Sequence, residues 1–119
     1  DRSVSRGLGD VYKRQMQTGS PDIKKALPLN GKPVILISHT PDIMPDVPNS
    51  VNLTLAGHLH GGQVRLFDAI TVPSKFGTKY ANGFLDDNGK KIYTTFGLGT
   101  SILPVRFNCP PEITVITFD

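Results

Sequence analysis

The sequence predicts an α/β fold, mostly strand with short helices, and three observations carry that expectation. Glycine and proline are abundant, 12 and 10 of 119 residues, which suits short elements joined by many turns better than a helical bundle. Two segments, Val34-Ile35-Leu36-Ile37 and Val51-Asn52-Leu53-Thr54-Leu55-Ala56, have the β-branched content and turn-rich flanks of strands. An Asn-Gly pair, Asn88-Gly89, sits between two further strand-like segments and marks a hairpin. A chain of this length is one small domain or a piece of a larger one.

The elements follow in order. Residues 1–15, DRSVSRGLGDVYKRQ, have no apolar stretch for a signal sequence and no Arg-rich amphipathic period for a transit peptide. They resemble a translated sequencing-adapter sequence, so this segment is expected to be a non-native tail, with a basic disordered arm as the alternative. Residues 16–119 then form the folding part. The run at 34–37 is continuously apolar, as in a strand buried on both faces, and ends at Ser38-His39. In Thr40-Pro41-Asp42, threonine can cap, proline suits the first helical position and aspartate complements the positive end of a short helix. Pro45 and Pro48 stop that helix quickly. The second strand, 51–56, runs directly into Gly57-His58-Leu59-His60-Gly61-Gly62. Residues 81–85 and 90–96 flank Asp86-Asp87-Asn88-Gly89 as a hairpin, and 113–118 supply a last strand entered from Pro110-Pro111.

Composition excludes several classes. The longest unbroken apolar run is 34–37, far short of the roughly 20 residues a membrane-crossing helix needs. One cysteine, Cys109, rules out a disulfide-stapled scaffold, and with no cationic or acid-base neighbour in sequence it reads as a buried, inert thiol. The formal charge is +3, but residues 1–15 hold four basic and two acidic side chains, leaving +1 for the rest. No basic stripe remains after the tail is set aside, which argues against a nucleic-acid binder. Lys75, Lys79, Lys90 and Lys91 read as a solvated face.

The histidines concentrate the chemistry. There are three, His39, His58 and His60, and each follows directly on a predicted strand. Loops beyond the carboxyl ends of α/β strands are where sites form, so two such loops can bring three imidazoles together. The glycines around His58 and His60 permit the backbone angles a tight metal-binding loop requires, whereas within a strand each would destabilise by about 0.5–1 kcal/mol. Taken singly, a strand-end histidine is more often structural. Taken together, the His-x-His within three glycines and the added His39 favour divalent-metal ligation. Gly97-Leu98-Gly99-Thr100-Ser101 lacks the lysine of a phosphate-binding loop and reads as a glycine-rich turn near the site. Arg106 and Asn108 could reach a phosphate or organise the backbone ahead of the last strand.

Four segments together resemble a known family. Ile37-Ser38-His39-Thr40-Pro41-Asp42, Leu55-Ala56-Gly57-His58-Leu59-His60-Gly61-Gly62-Gln63, Gly97-Leu98-Gly99-Thr100-Ser101 and Leu103-Pro104-Val105-Arg106-Phe107-Asn108-Cys109-Pro110-Pro111-Glu112 are similar to the carboxyl-terminal part of calcineurin-like metallophosphoesterases. The nearest subgroup is a bacterial one that is membrane-associated or exported.

The resemblance implies a partial calcineurin-like phosphoesterase sandwich and a hydrolase. His39 and His58 match ligands of one metal and His60 a ligand of another. The cofactors would be two divalent ions, of the manganese, iron or zinc kind, which activate water and clamp phosphoryl oxygens. The family's other ligands come from Asp-x-His, Gly-Asp and Gly-Asn-His motifs. None is present apart from a Gly-Asp in the tail, so residues 16–119 are expected to be an inactive carboxyl-terminal fragment with no catalytic residue of its own. Leu59 stands where threonine is frequent and Phe96 where a basic residue is common, which affects substrate contacts more than metals. Arg106 and Asn108 are the substrate-binding candidates. The implied partner is a lipid, nucleotide or cell-wall phosphoester, and membrane association would come from sequence ahead of this chain. The alternative is a noncatalytic module that binds metal or a partner protein.

Overall fold

The structure is a computed structural model that describes residues 22–28, 31–66, the backbone of 69 and 70, residue 72, and 74–119. The expected tail at 1–15 lies outside the described residues. A single helical turn, α1 (Ile23–Ala26), is capped by the Asp22 carboxylate, which accepts from Lys25 N at 3.1 Å. A mixed four-stranded sheet follows, with β1 (Ile35–Ile37), β2 (Leu53–Ala56), β5 (Gly83–Asp87) and β6 (Lys90–Thr94) in the order β1-β2-β6-β5. β1, β2 and β6 run parallel, and β5 pairs antiparallel with β6. Two short strands, β3 (Arg65–Leu66) and β4 (Ala69–Ile70), form a separate antiparallel pair.

Local chemistry explains these elements. The β5–β6 turn places Asn88 and Gly89 at positive φ, 55° and 84°, the two left-handed positions that a tight primed turn demands. Between β1 and β2 the chain makes a 3₁₀ helix, Pro41–Asp46. Thr40 Oγ1 accepts from Asp42 N at 3.3 Å and Pro41 occupies the first position, as the sequence predicts. Pro45 lies inside this helix, which ends at Val47. Pairing register puts Leu36, Thr54, Ala56, Ile92 and Thr94 on one face of the sheet, with Leu85 beside Ile92. Met44 and Val47 close over that face, joined by Ile23, Val51 and Tyr80, to make the core.

Two expectations need correction. β1 is not buried on both faces: Leu36 is 6% exposed, but Ile35 and Ile37 are 40% and 45% exposed. Among the described residues their side of the sheet is covered only in part: Leu53, which pairs with Ile35 on that side, is 9% exposed and the tail reaches Tyr93, but Ile35 and Ile37 themselves stay open. The segment 113–118 forms no strand either. It alternates apolar and polar, but no sheet edge among the described residues pairs with it. It is anchored at its start: the Glu112 carboxylate accepts from Tyr93 and Thr114, its N–H donates to Gly97 O, and the Thr114 hydroxyl also lies 3.3 Å from the Tyr93 hydroxyl.

Candidate metal centre

Parallel pairing of β1 and β2 brings their carboxyl ends to one edge. Ser38 N donates to Leu55 O at 2.9 Å and Gly57 N to His39 O at 3.4 Å, so the ladder continues into the turns that hold His39 and His58. The two imidazoles lie 4.5 Å apart, centroid to centroid, with planes tilted by 46°. Both residues are exposed, and among the described residues neither ring has a hydrogen-bond partner. Partial desolvation of the ring holds the His58 pKa below the usual imidazole value; the neighbouring His39 and His60 lower it further, and Asp42 pulls it back up. A neutral ring is the form that ligates a metal.

The strand does stop at Gly57. His58, His60, Gly61, Gly62 and Gln63 all adopt positive φ, from 49° to 83°. For each non-glycine residue among them this left-handed backbone costs about 1–2 kcal/mol. Such strain gathers at functional loops when surrounding contacts over-determine it. Here the contacts are specific. A Cβ on Gly61 would lie 2.6 Å from the Phe96 ring and 2.8 Å from Cys109 Sγ. Cys109 is 1% exposed and donates to His60 O at 3.2 Å, so the thiol is buried as expected, but it has a cationic neighbour the sequence did not indicate, Arg106 Nη1 at 3.6 Å from its sulfur.

The remaining predicted residues divide. Arg106 lies against the His60 loop, and its guanidinium donates to the carbonyls of Phe96, Gly97, Gly99, His60 and Cys109. Of the two roles the sequence leaves open for it, these contacts are those of backbone organisation. Asn108 stands exposed at φ 50°. The 97–101 turn reaches the site as expected, since the His60 ring nitrogen Nδ1 is 3.2 Å from Gly99 O.

Sequence reasoning missed two polar braces. Gln63 acts as a surrogate strand: Oε1 accepts from Ser101 N at 2.6 Å, while Nε2 donates to Ser101 O and Leu103 O at 3.1 and 2.6 Å. Its place directly after Gly61-Gly62 is the only signal that could have singled it out. Asp42 caps less than it clamps, accepting from Ser74 Oγ at 2.6 Å and Lys75 N at 3.1 Å, so it ties the 74–76 loop to the turn after His39.

Among the described residues, no three His, Cys, Asp or Glu side chains gather closely enough to hold a metal. The donor set fits the nitrogen part of a metal site: paired, accessible imidazoles, with the Asp42 carboxylate close enough to act on His58 electrostatically but engaged by Ser74 and Lys75.

No family model and no solved structure matches the chain. Curated proteins do. It is 41% identical over 85 residues to the uncharacterised metallophosphoesterase YkuE of Bacillus subtilis, a match that covers 70% of this chain and 30% of that protein. An uncharacterised metallophosphoesterase of Helicobacter pylori is 35% identical over 112 residues, 90% of this chain and 30% of its own. The phosphodiesterase YaeI of Escherichia coli is 34% identical over 115 residues, 92% of this chain and 39% of its own. These relatives place the chain in the metallophosphoesterase class. This chain is a member of the calcineurin-like metallophosphoesterase family, and it spans about a third of the length of the curated relatives it matches.

Proposed function

We propose that this chain is the carboxyl-terminal part of a di-metal phosphoesterase that hydrolyses phosphomono- or phosphodiester bonds. The observation behind this reading is the His39–His58 pair, 4.5 Å apart at the ends of adjacent parallel strands, beside a third imidazole on a strained glycine loop. His39 and His58 would hold one ion and His60 the other. When bound, such ions supply an activated water and neutralise phosphoryl charge. This chain's own contribution is to hold neutral nitrogen donors in fixed orientation at the edge of the sheet.

The carboxylate ligands would come from sequence outside this chain, and so would any membrane anchor. The substrate would be a lipid, nucleotide or cell-wall phosphoester, with the exposed Asn108 as this chain's candidate contact. Residues 16–119 alone should therefore show no manganese-dependent turnover of an aryl phosphodiester. A parent chain as long as the relatives should turn it over, and H39A or H58A should cost it more than about 100-fold, since outer-shell losses alone cost 10- to 100-fold. Robust turnover by residues 16–119, or a parent indifferent to both substitutions, would overturn the reading.

A further inference from the structure

We infer that Arg106 is a positioning residue that sets the orientation and tautomer of His60. The His60 Nδ1 atom is 3.2 Å from Gly99 O. A carbonyl oxygen only accepts, so this contact requires the proton on Nδ1 and leaves the Nε2 lone pair free to point outward. The acceptor is itself held. Arg106 donates to the same Gly99 oxygen from Nε at 3.1 Å and from Nη2 at 2.5 Å. Arg106 Nη1 also donates to the main-chain oxygen of His60, at 3.4 Å. One guanidinium thus grips both the backbone of His60 and the group that its ring addresses.

The rest of the fork locks this arrangement. Nη2 donates to Phe96 O at 2.9 Å and Gly97 O at 3.1 Å, and Nη1 to Cys109 O at 3.2 Å. Three chain segments, at 60, at 96–99 and at 106–109, therefore meet on one planar cation. Lysine, a point charge on a flexible stem, cannot reproduce five donors in fixed directions. His60 sits at φ 49°, a backbone state that needs outside contacts to persist. A histidine that ligates a metal generally donates its other ring N–H to a carbonyl or carboxylate, and disturbing such a partner lowers metal affinity by about 10- to 100-fold. The effect on affinity rests on the reading of His60 as a ligand; the effect on the tautomer does not.

The test is long-range proton–nitrogen correlation NMR of the imidazoles in the 119-residue chain, at a pH where they are neutral, followed by zinc titration. His60 should carry its proton on Nδ1. R106A should convert it to a mixture of tautomers and weaken the zinc-induced shifts about 10- to 100-fold. If R106A loses the sheet amide dispersion of Thr54 and Ile92, R106K takes its place and should fail to restore the wild-type tautomer. A wild-type His60 protonated on Nε2, or an Nδ1–H form indifferent to both substitutions, would overturn the inference. A tautomer that responds to Arg106 beside imidazoles that ignore zinc would uphold the grip on His60 and overturn only the predicted effect on zinc affinity in this chain.

Discussion

The two faces of the four-stranded sheet are built from the same residue types and end in different states. On one, Leu36, Ala56 and Ile92 lie beneath Met44 and Val47, with Met44 and Ile92 each 1% exposed. On the other, register aligns Ile35, Ile37, Leu53, Leu55, Tyr93 and Phe84; Leu53 at its centre is 9% exposed, but Ile37 is 45% and Phe84 61% exposed. What separates them is a proline-containing 3₁₀ helix only six residues long, which lies over the first face and has no helical counterpart on the second among the described residues. Strand hydrophobicity measures the capacity for burial. Which face is closed is decided by the connections.

Substitution tests this asymmetry directly. Met44→Ala should lower stability by about 2–5 kcal/mol, because it removes a fully enclosed side chain from the core. Ile37→Thr, at a side chain 45% exposed, should change it by only about 0.5 kcal/mol. Urea unfolding of both variants measures the contrast. Equal losses would mean that the second face is as well packed as the first.

Between the faces lies the edge that bears the histidines, and its sensitivity should be nearly that of the core although much of it is exposed. Gly61→Ala places a methyl group within 3 Å of both Phe96 and Cys109, on a backbone at φ 62°. Overpacking and left-handed strain together predict a loss of about 2–4 kcal/mol. Gly77→Ala is the control: it is also left-handed, at φ 58°, but nothing lies within 4 Å of the added carbon, so only the backbone cost of about 1–2 kcal/mol applies. Thermal unfolding separates the two, and identical losses would show that steric closure at the His60 loop contributes nothing.

Much of this architecture is legible in the sequence because its causes are local. Thr40 and Pro41 start the 3₁₀ helix, Asn88-Gly89 turns the hairpin, and glycines around His58 and His60 end β2; each needs only a few neighbouring residues. The parallel order β1-β2-β6 is not legible, since it depends on residues about 18 and 38 positions apart finding one another. Nor are the braces. Gln63 reaches a carbonyl 40 positions away and Arg106 one 46 positions away, and no periodicity encodes a side chain that stands in for a strand. The three imidazoles are readable as a group because each closes a strand. The grip of Arg106 on His60 needed coordinates.

The smallest expected effect lies where the tail meets the open face. Tyr93 points to that side of the sheet, and its hydroxyl donates to the Glu112 carboxylate, as does Thr114. The Thr114 and Tyr93 hydroxyls hold the Glu112 pKa below its ordinary 4.5, and the same Glu112 contact raises the Tyr93 pKa above 10.0. Because the Glu112 pKa is depressed in the fold, its contribution is complete above about 4.5 and is lost as pH falls through the folded value. The Tyr93 contribution runs the other way, complete below 10.0 and lost as pH rises through its raised value. Tail docking should therefore be constant across neutral pH and weaken at both extremes. Glu112→Gln should cost about 1 kcal/mol at neutral pH, discounted for partial solvent screening, and should remove the acid limb while largely sparing the core. Amide exchange along 113–118 as a function of pH reads this out. An acid limb that survives the substitution would assign the dependence to other carboxylates and leave the tail with no specific hold on the open face.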